Sequence, residues 1–247
     1  MEPDRAQKEI IHGKTLVDGC PELTWGWESE AGKIRAGRRA GLINGKARLQ
    51  PGTKVLEIGC GTGVFTQLFA ETQANITAVD ISPDLLSIAK RKNYNYNNVI
   101  FINKNFAECK LDGPFDAVIG SSILHHLDID SALLKIFSLL EPGGVLCFAE
   151  PNMLNPQIFL QKNIPWLKKR LGDSPDETAF LRWRLKNLLE RKKFEKISIT
   201  PFDWLHPSTP PLLINPVMKF GALLEKLPIV REFSGSLIIY AKRPMEL

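Results

Sequence analysis

Val55-Leu-Glu-Ile-Gly-Cys-Gly-Thr-Gly-Val64 decides the reading of this chain. A short apolar run enters a turn made of alternating glycines, and an amphipathic stretch, Val64–Thr72, leaves it. Glycines at 59, 61 and 63 permit a tight turn and close approach of a ligand to the backbone. The helix start behind them offers N–H groups with no intrahelical partner. A nucleotide-like ligand fits such an edge, although the same turn can also serve the backbone alone. Seventeen residues after Gly63, Asp80 closes the next apolar run, where a carboxylate can accept both hydroxyls of a ribose.

Outward from this turn the pattern is regular. Apolar runs at Val55–Gly59, Ile76–Asp80, Val99–Lys104, Phe115–Ser121 and Val145–Glu150 read as strands. Helical patterns fall between them at Val64–Thr72, Pro83–Asn93 and Ser131–Leu140. Ser82 followed by Pro83 and Asp84 is a helix start, and Leu140-Glu-Pro-Gly-Gly is a helix stop. Strands apolar on both faces and alternating with helices predict a doubly wound α/β fold around a mostly parallel sheet. Residues 1–50, with Trp25, Trp27 and Lys33-Ile-Arg-Ala-Gly-Arg-Arg, read as a helical segment before the first strand. A basic helix is expected at Glu177–Lys193, and strands at Lys196–Phe202 and near 235–243. Two Pro-rich interruptions, 151–180 and 203–233, fall on the sheet's C-terminal side, where α/β folds place ligands.

Composition narrows the class. The 247 residues carry 32 Lys and Arg against 27 Asp and Glu, are 44% hydrophobic, and hold 18 Gly and 17 Pro. That excludes disordered and fibrous chains. Cys20, Cys60, Cys109 and Cys147 stand far apart, so neither a zinc site nor a disulfide framework is expected. The polar start does not read as a secretory signal, and no apolar run reaches the length of a membrane span, which points to a cytoplasmic protein.

Two ligand classes suit the glycine turn. The dinucleotide fingerprint is Gly-x-Gly-x-x-Gly, but position 64, where its third glycine belongs, is Val. Glu57, two residues before the first glycine, suits a ligand with sulfonium and ammonium charges better than a pyrophosphate. Taken with Ala78-Val-Asp-Ile-Ser, Phe115-Asp-Ala-Val-Ile-Gly-Ser-Ser-Ile-Leu-His-His-Leu and Leu140-Glu-Pro-Gly-Gly-Val-Leu, the chain resembles class I S-adenosylmethionine-dependent methyltransferases of the small-molecule and lipid type over residues 50–150. The resemblance implies a Rossmann-like, seven-stranded sheet with an antiparallel last strand, in a single domain over 1–247 whose cofactor-binding core is 51–150. It implies S-adenosyl-L-methionine as cofactor and S-adenosyl-L-homocysteine as product. Gly59, Cys60, Gly61 and Gly63 would enclose the methionine part, with Glu57 beside them. Asp80 would hold the ribose, Ile81 the adenine, Asn105 and Phe106 the adenine edge, and Ser121 the methionine end. Arg35 or Arg38 would meet the methionine carboxylate, unless both are solvated positions of a basic helix.

His125 and His126, just past the fourth strand, are the candidates for a catalytic base, His125 first; otherwise they cap the next helix or hold the loop. Glu150 and Asn152 face the same side and read as loop-ordering residues. No metal is expected. The motif of amino-group nucleic-acid enzymes and the Pro-Cys nucleophile of cytosine enzymes are both absent. The two interruptions therefore choose the acceptor: their apolar residues either cap the site for a bulky or lipidic molecule or pack on the core. Residues 151–200 hold 11 Lys and Arg against 5 Asp and Glu, an excess of six where the whole chain has five. That patch suits peripheral contact with an anionic membrane, or is a solvated helix face. The sequence points to O- or C-methylation of a small-molecule or lipid-linked acceptor. Its rivals are an RNA methyltransferase docking through 162–196, which no RNA-binding appendage supports, and a non-catalytic cofactor-binding subunit.

Overall fold

A computed structural model describes residues 5–93, 95–171 and 177–245; positions 172–176 of the first interruption lie outside the described residues. The helices are α1 (Arg5–Val17), α2 (Pro21–Thr24), α3 (Glu30–Ala47), α4 (Val64–Ala70), α5 (Pro83–Lys92), α6 (Ile129–Leu139), α7 (Pro156–Asn163), α8 (Pro165–Arg170), α9 (Arg182–Arg191) and α10 (Pro211–Leu224). The strands are β1 (Lys54–Ile58), β2 (Asn75–Asp80), β3 (Val99–Asn103), β4 (Phe115–Ser121), β5 (Leu140–Pro151), β6 (Glu195–Phe202) and β7 (Ser236–Lys242). They form one sheet in the order β3-β2-β1-β4-β5-β7-β6. Only β7 runs antiparallel to its neighbours. This is the Rossmann-like, seven-stranded sheet with an antiparallel last strand that the resemblance implies.

Alternation along each strand splits the core in two. Val55, Ala117, Ile119, Cys147 and Ile238 meet α3 and α4 through Ile43, Phe65 and Phe69. Leu56, Ile58, Val118, Leu146, Phe148 and Ile239 meet α6 and α9 through Leu133, Ile136, Leu185 and Leu189. Covering both faces is what lets the strands be apolar throughout.

Helix starts follow their caps. Ser82 Oγ accepts from Leu85 N at 3.3 Å, with Pro83 in the first turn. Asp128 and Asn155 cap α6 and α7 in the same way. Two expectations shift. Pairing in β5 begins at Leu140 opposite Phe115, bulges, and resumes at Val145 opposite Ala117, so Pro142 and Gly143 sit inside the strand's bounds. The basic helix starts at Arg182 rather than 177. Phe180 bridges Asn152, with its N–H on Pro151 O and its carbonyl accepting from Met153 N, which keeps that stretch extended. Among the described residues the N-terminal segment forms α1, α2 and α3. Of these, α3 lies against β4, β5 and β7, and α1 against α5.

Candidate active site

At the C-terminal ends of β1, β2 and β4 the structure encloses a cavity of about 660 Å³. The glycine turn forms one wall. Gly59 has φ +67°, and a Cβ there would stand 2.3 Å from Ile123 Cγ1. Gly63 has φ +78°, N-caps α4, and lies too close to Asn93 and Ala89 of the α5 end for a side chain. Both positions therefore demand glycine for conformation and for space.

Asp80 ties this turn to the end of β2. Its Oδ2 accepts from Gly61 N at 2.7 Å and its Oδ1 from Ser82 N at 2.8 Å. Burial raises its pKa, while those two N–H groups pull it back down. Burial, with Asp80 and Glu57 nearby, also keeps the Cys60 thiol protonated. Ile81, Asn105 and Phe106 continue the wall. Asn105 Oδ1 accepts from Ala107 N at 3.0 Å, which shapes the turn after β3. The N-terminal helices close the same end. Leu16 and Trp25 line the cavity, and the Trp25 ring packs over Gly61.

Glu57 and Gly63 are absent from the cavity lining. Glu57 shares the parity of Val55, so its side chain points under α4, is 1% exposed, and has its pKa pushed up by burial to about 8. Of the paired arginines, Arg38 forms a two-point contact with Glu225 away from the cavity. Arg35 lines it and donates to Asp203 Oδ2 at 2.9 Å. One turn further along α3 stands Arg39, which the sequence reading missed. It is 3% exposed and donates to Ser122 Oγ at 3.1 Å, Ser121 Oγ at 3.3 Å and Ser236 Oγ. Burial and the charge of Arg35 lower its pKa to about 10. The i, i+4 relation to Arg35 was the available signal.

The far end is an ion-pair network. Glu150, fully buried, accepts from Ile123 N and Leu124 N on Oε1 at 2.9 Å each, and from His125 Nδ1 on Oε2 at 2.6 Å. Across the ring, His125 Nε2 lies 3.3 Å from Glu177 Oε1, which also pairs with Lys162. His126 Nδ1 lies 3.3 Å from Glu9 Oε2, and Arg5 Nη2 donates to His125 O at 3.1 Å. Burial works against charge on His125, but Glu150 and Glu177 outweigh it and lift the pKa to about 9. Burial likewise opposes charge on Glu177, yet His125, His126 and Lys162 hold it well below the carboxylate range. His125, His126 and Glu177 bring possible ligand atoms within 4.8 Å of one another. A divalent ion there would meet the Lys162 ammonium on the same carboxylate oxygen, so the set is better matched to ion pairing.

The structure thus gathers Arg35, Gly59, Cys60, Gly61, Asp80, Ile81, Asn105, Phe106, Ser121, His125 and His126 around one space. Ile158, Gln161, Lys162 and Leu171 of the first interruption join them. Among the described residues none of 203–233 does; α10 packs on α3.

A family model described as a methyltransferase domain matches residues 49–197. A ubiquinone biosynthesis O-methyltransferase of Xanthomonas axonopodis pv. citri is 32% identical over 111 residues, 43% of this chain and 46% of that protein. A demethylmenaquinone methyltransferase of Tropheryma whipplei is 30% identical over 146 residues, 56% and 61% of the two chains. The match thus spans about half the length of these curated relatives. The N-methyltransferase NodS of Bradyrhizobium japonicum WM9, solved with S-adenosyl-l-homocysteine, shares the fold at a TM-score of 0.65 and 14% identity, over 98% of this chain and 100% of that one.

Proposed function

This chain belongs to the methyltransferase-domain family, and on that premise we propose that it transfers the methyl group of S-adenosyl-L-methionine to oxygen or carbon of a small-molecule or lipid-linked acceptor. One observation carries the reading: the glycine turn latched to Asp80 and the His125 ring, held from behind by Glu150, open onto the same cavity. Its residues suit the cofactor. In this reading Asp80 takes the ribose, apolar Leu16, Ile81 and Trp25 of the cavity wall suit an adenine, and cationic Arg35 and Arg39 suit the methionine carboxylate. When bound, the cofactor supplies an electrophilic methyl group on a sulfonium leaving group. The chain supplies alignment and exclusion of water. Glu150 fixes the His125 ring, and His126 and Ser121 complete the walls beside it. The relatives named for quinone biosynthesis support an acceptor of small or lipidic kind.

Calorimetry with S-adenosyl-L-homocysteine tests this directly. Binding near micromolar is expected, and absence of binding by both cofactor and product overturns the reading.

The RNA alternative receives little support from the basic 162–196 segment. Lys162 and Lys168 turn inward onto Glu177, Arg182 pairs with Glu232, and Lys192 with Asp130. Peripheral membrane contact is better supported. Phe159, Leu160 and Trp166 on α7 and α8, and Leu212, Phe220 and Leu223 on α10, are all exposed. Exposed Arg170 and Lys219 share those helices. Such faces suit an anionic lipid interface. Among the described residues no helix is long and apolar enough to cross a membrane. Flotation with phosphatidylglycerol vesicles should carry the protein up, and Trp166→Glu with Phe220→Glu should leave it in solution; equal flotation sinks the assignment.

A further inference from the structure

At the acceptor end, the chain fills its own cavity with a carboxylate. Glu177 lies in the extended stretch before α9, and its Oε1 meets His125 Nε2 and Lys162 Nζ together. The side chains of His125, Lys162 and Glu177 are 3, 6 and 11% exposed. Neither cation is there by accident of a mobile surface. His125 is held from behind by Glu150 at 2.6 Å, and Glu150 is itself fixed by two backbone N–H groups. Lys162 projects from α7, whose Ile158 lines the same space one turn earlier. Leu171 also lines it. Two buried cationic donors thus converge on one carboxylate oxygen beside apolar walls, and a buried charge pair of this kind is specific for its partner's charge.

We propose that Glu177 stands in the subsite of the acceptor's own carboxylate, so that the substrate class is an apolar carboxylic acid anchored by His125 and Lys162. The proposal rests on the methyl-transfer reading above and names the acceptor for it. The chemistry balances without a base. An oxygen of the acceptor carboxylate forms the new O–C bond as the S–C bond of the methyl donor breaks, the carboxylate and sulfonium charges cancel, an ester and a thioether result, and no proton leaves. His125, held as an imidazolium by carboxylates on both sides, is suited to anchor an anion rather than to remove a proton. Glu177 must withdraw from the two cations before the acceptor can take its place.

The test uses the full chain saturated with S-adenosyl-L-homocysteine and titrated calorimetrically with octanoate or with octan-1-ol. Glu177→Gln should bind octanoate at least about 10-fold more tightly than wild type, because the buried anion that competes for His125 and Lys162 is lost. Adding Lys162→Ala to that variant should erase the gain, and octan-1-ol should not discriminate among the three proteins. Equal octanoate affinity in wild type and a folded Glu177→Gln overturns the proposal. So does a gain that octan-1-ol shows equally. If Glu177→Gln does not fold, histidine-¹⁵N NMR of the wild type decides: octanoate should move the His125 Nε2 resonance, and an unmoved signal at saturating probe refutes the subsite. Failure of S-adenosyl-L-homocysteine to bind is a different result and strikes the methyl-transfer reading instead.

Discussion

At the Asp80 end of the cavity Gly59 to Gly61, Asp80 with Ile81, and Asn105 with Phe106 follow three successive strands, and most of the contacts that hold them are to backbone. At the His125 end the groups come from α1, the turn after β4, β5, α7 and the stretch before α9, and most of the contacts join charged side chains. The first end is built by local conformation: positive φ at glycine, a carboxylate on neighbouring N–H groups. The second is built by mutual neutralisation of charges brought from far apart in the chain. The difference implies that the two ends fail separately.

The largest expected effect tests that separation. Glu150→Ala leaves a buried imidazolium and two buried N–H groups without their acceptor, which costs about 3–5 kcal/mol. Chemical denaturation should show that loss, while the affinity of the remaining folded protein for S-adenosyl-L-homocysteine stays near wild type; a collapse of both together breaks the comparison.

The same network sets a pH dependence. The folded pKa of His125, about 9, lies above its ordinary 6.5. Its contribution to stability is therefore complete below about pH 6.5 and is lost as pH rises through 9, on the order of 3 kcal/mol in all. Glu57 works in the same direction over a lower window. Its folded pKa of about 8 exceeds 4.5, so folding is penalised increasingly as pH rises from 4.5 to 8. Denaturation midpoints at pH 6.5 and 9 should fall for wild type and fall less for His125→Gln; parallel slopes would falsify the assignment to His125.

Asp80→Ala probes the other end. It removes the acceptor for Gly61 N and Ser82 N as well as the ribose partner, and an affinity loss of about 100-fold for S-adenosyl-L-homocysteine is expected, equivalent to about 2.7 kcal/mol. Calorimetry giving wild-type affinity would remove Asp80 from the site. The smallest effect belongs to Arg38. Its pair with Glu225 is partly exposed, so Arg38→Ala should cost no more than about 1 kcal/mol and leave cofactor affinity unchanged. An affinity loss there would mean that the exposed arginine, and not only Arg35 and Arg39, serves the cavity.

Legibility followed the same division. The β1–α4 turn, the place of Asp80 at the end of β2 and the Ser82 cap could be read because each depends on residues a few positions apart. Arg39 escaped although it stands one turn from Arg35, because a guanidinium in a basic run reads as solvated until a partner such as Ser236 comes from β7. Glu57 was assigned to the cofactor by its distance from the glycines, but strand alternation turns it to the opposite face. Glu177 was counted into a basic helix. Nothing near it in sequence announces that the chain there stays extended against Asn152 and sends the carboxylate to His125.

By itself, then, the sequence determined the doubly wound sheet and the glycine-turn wall of the cavity, since period, caps and obligatory glycines act over single turns of chain. Only the tertiary structure decided the wall around His125. The charge states of His125 and Glu177 depend on burial and on partners such as Glu150, 25 residues from His125 in the chain, and neither exists until the sheet has closed. The excess positive charge in 151–200 divided for the same reason: Lys162 and Lys168 turn inward onto Glu177, while Arg184, Lys186, Arg191, Lys193 and Lys196 stay exposed.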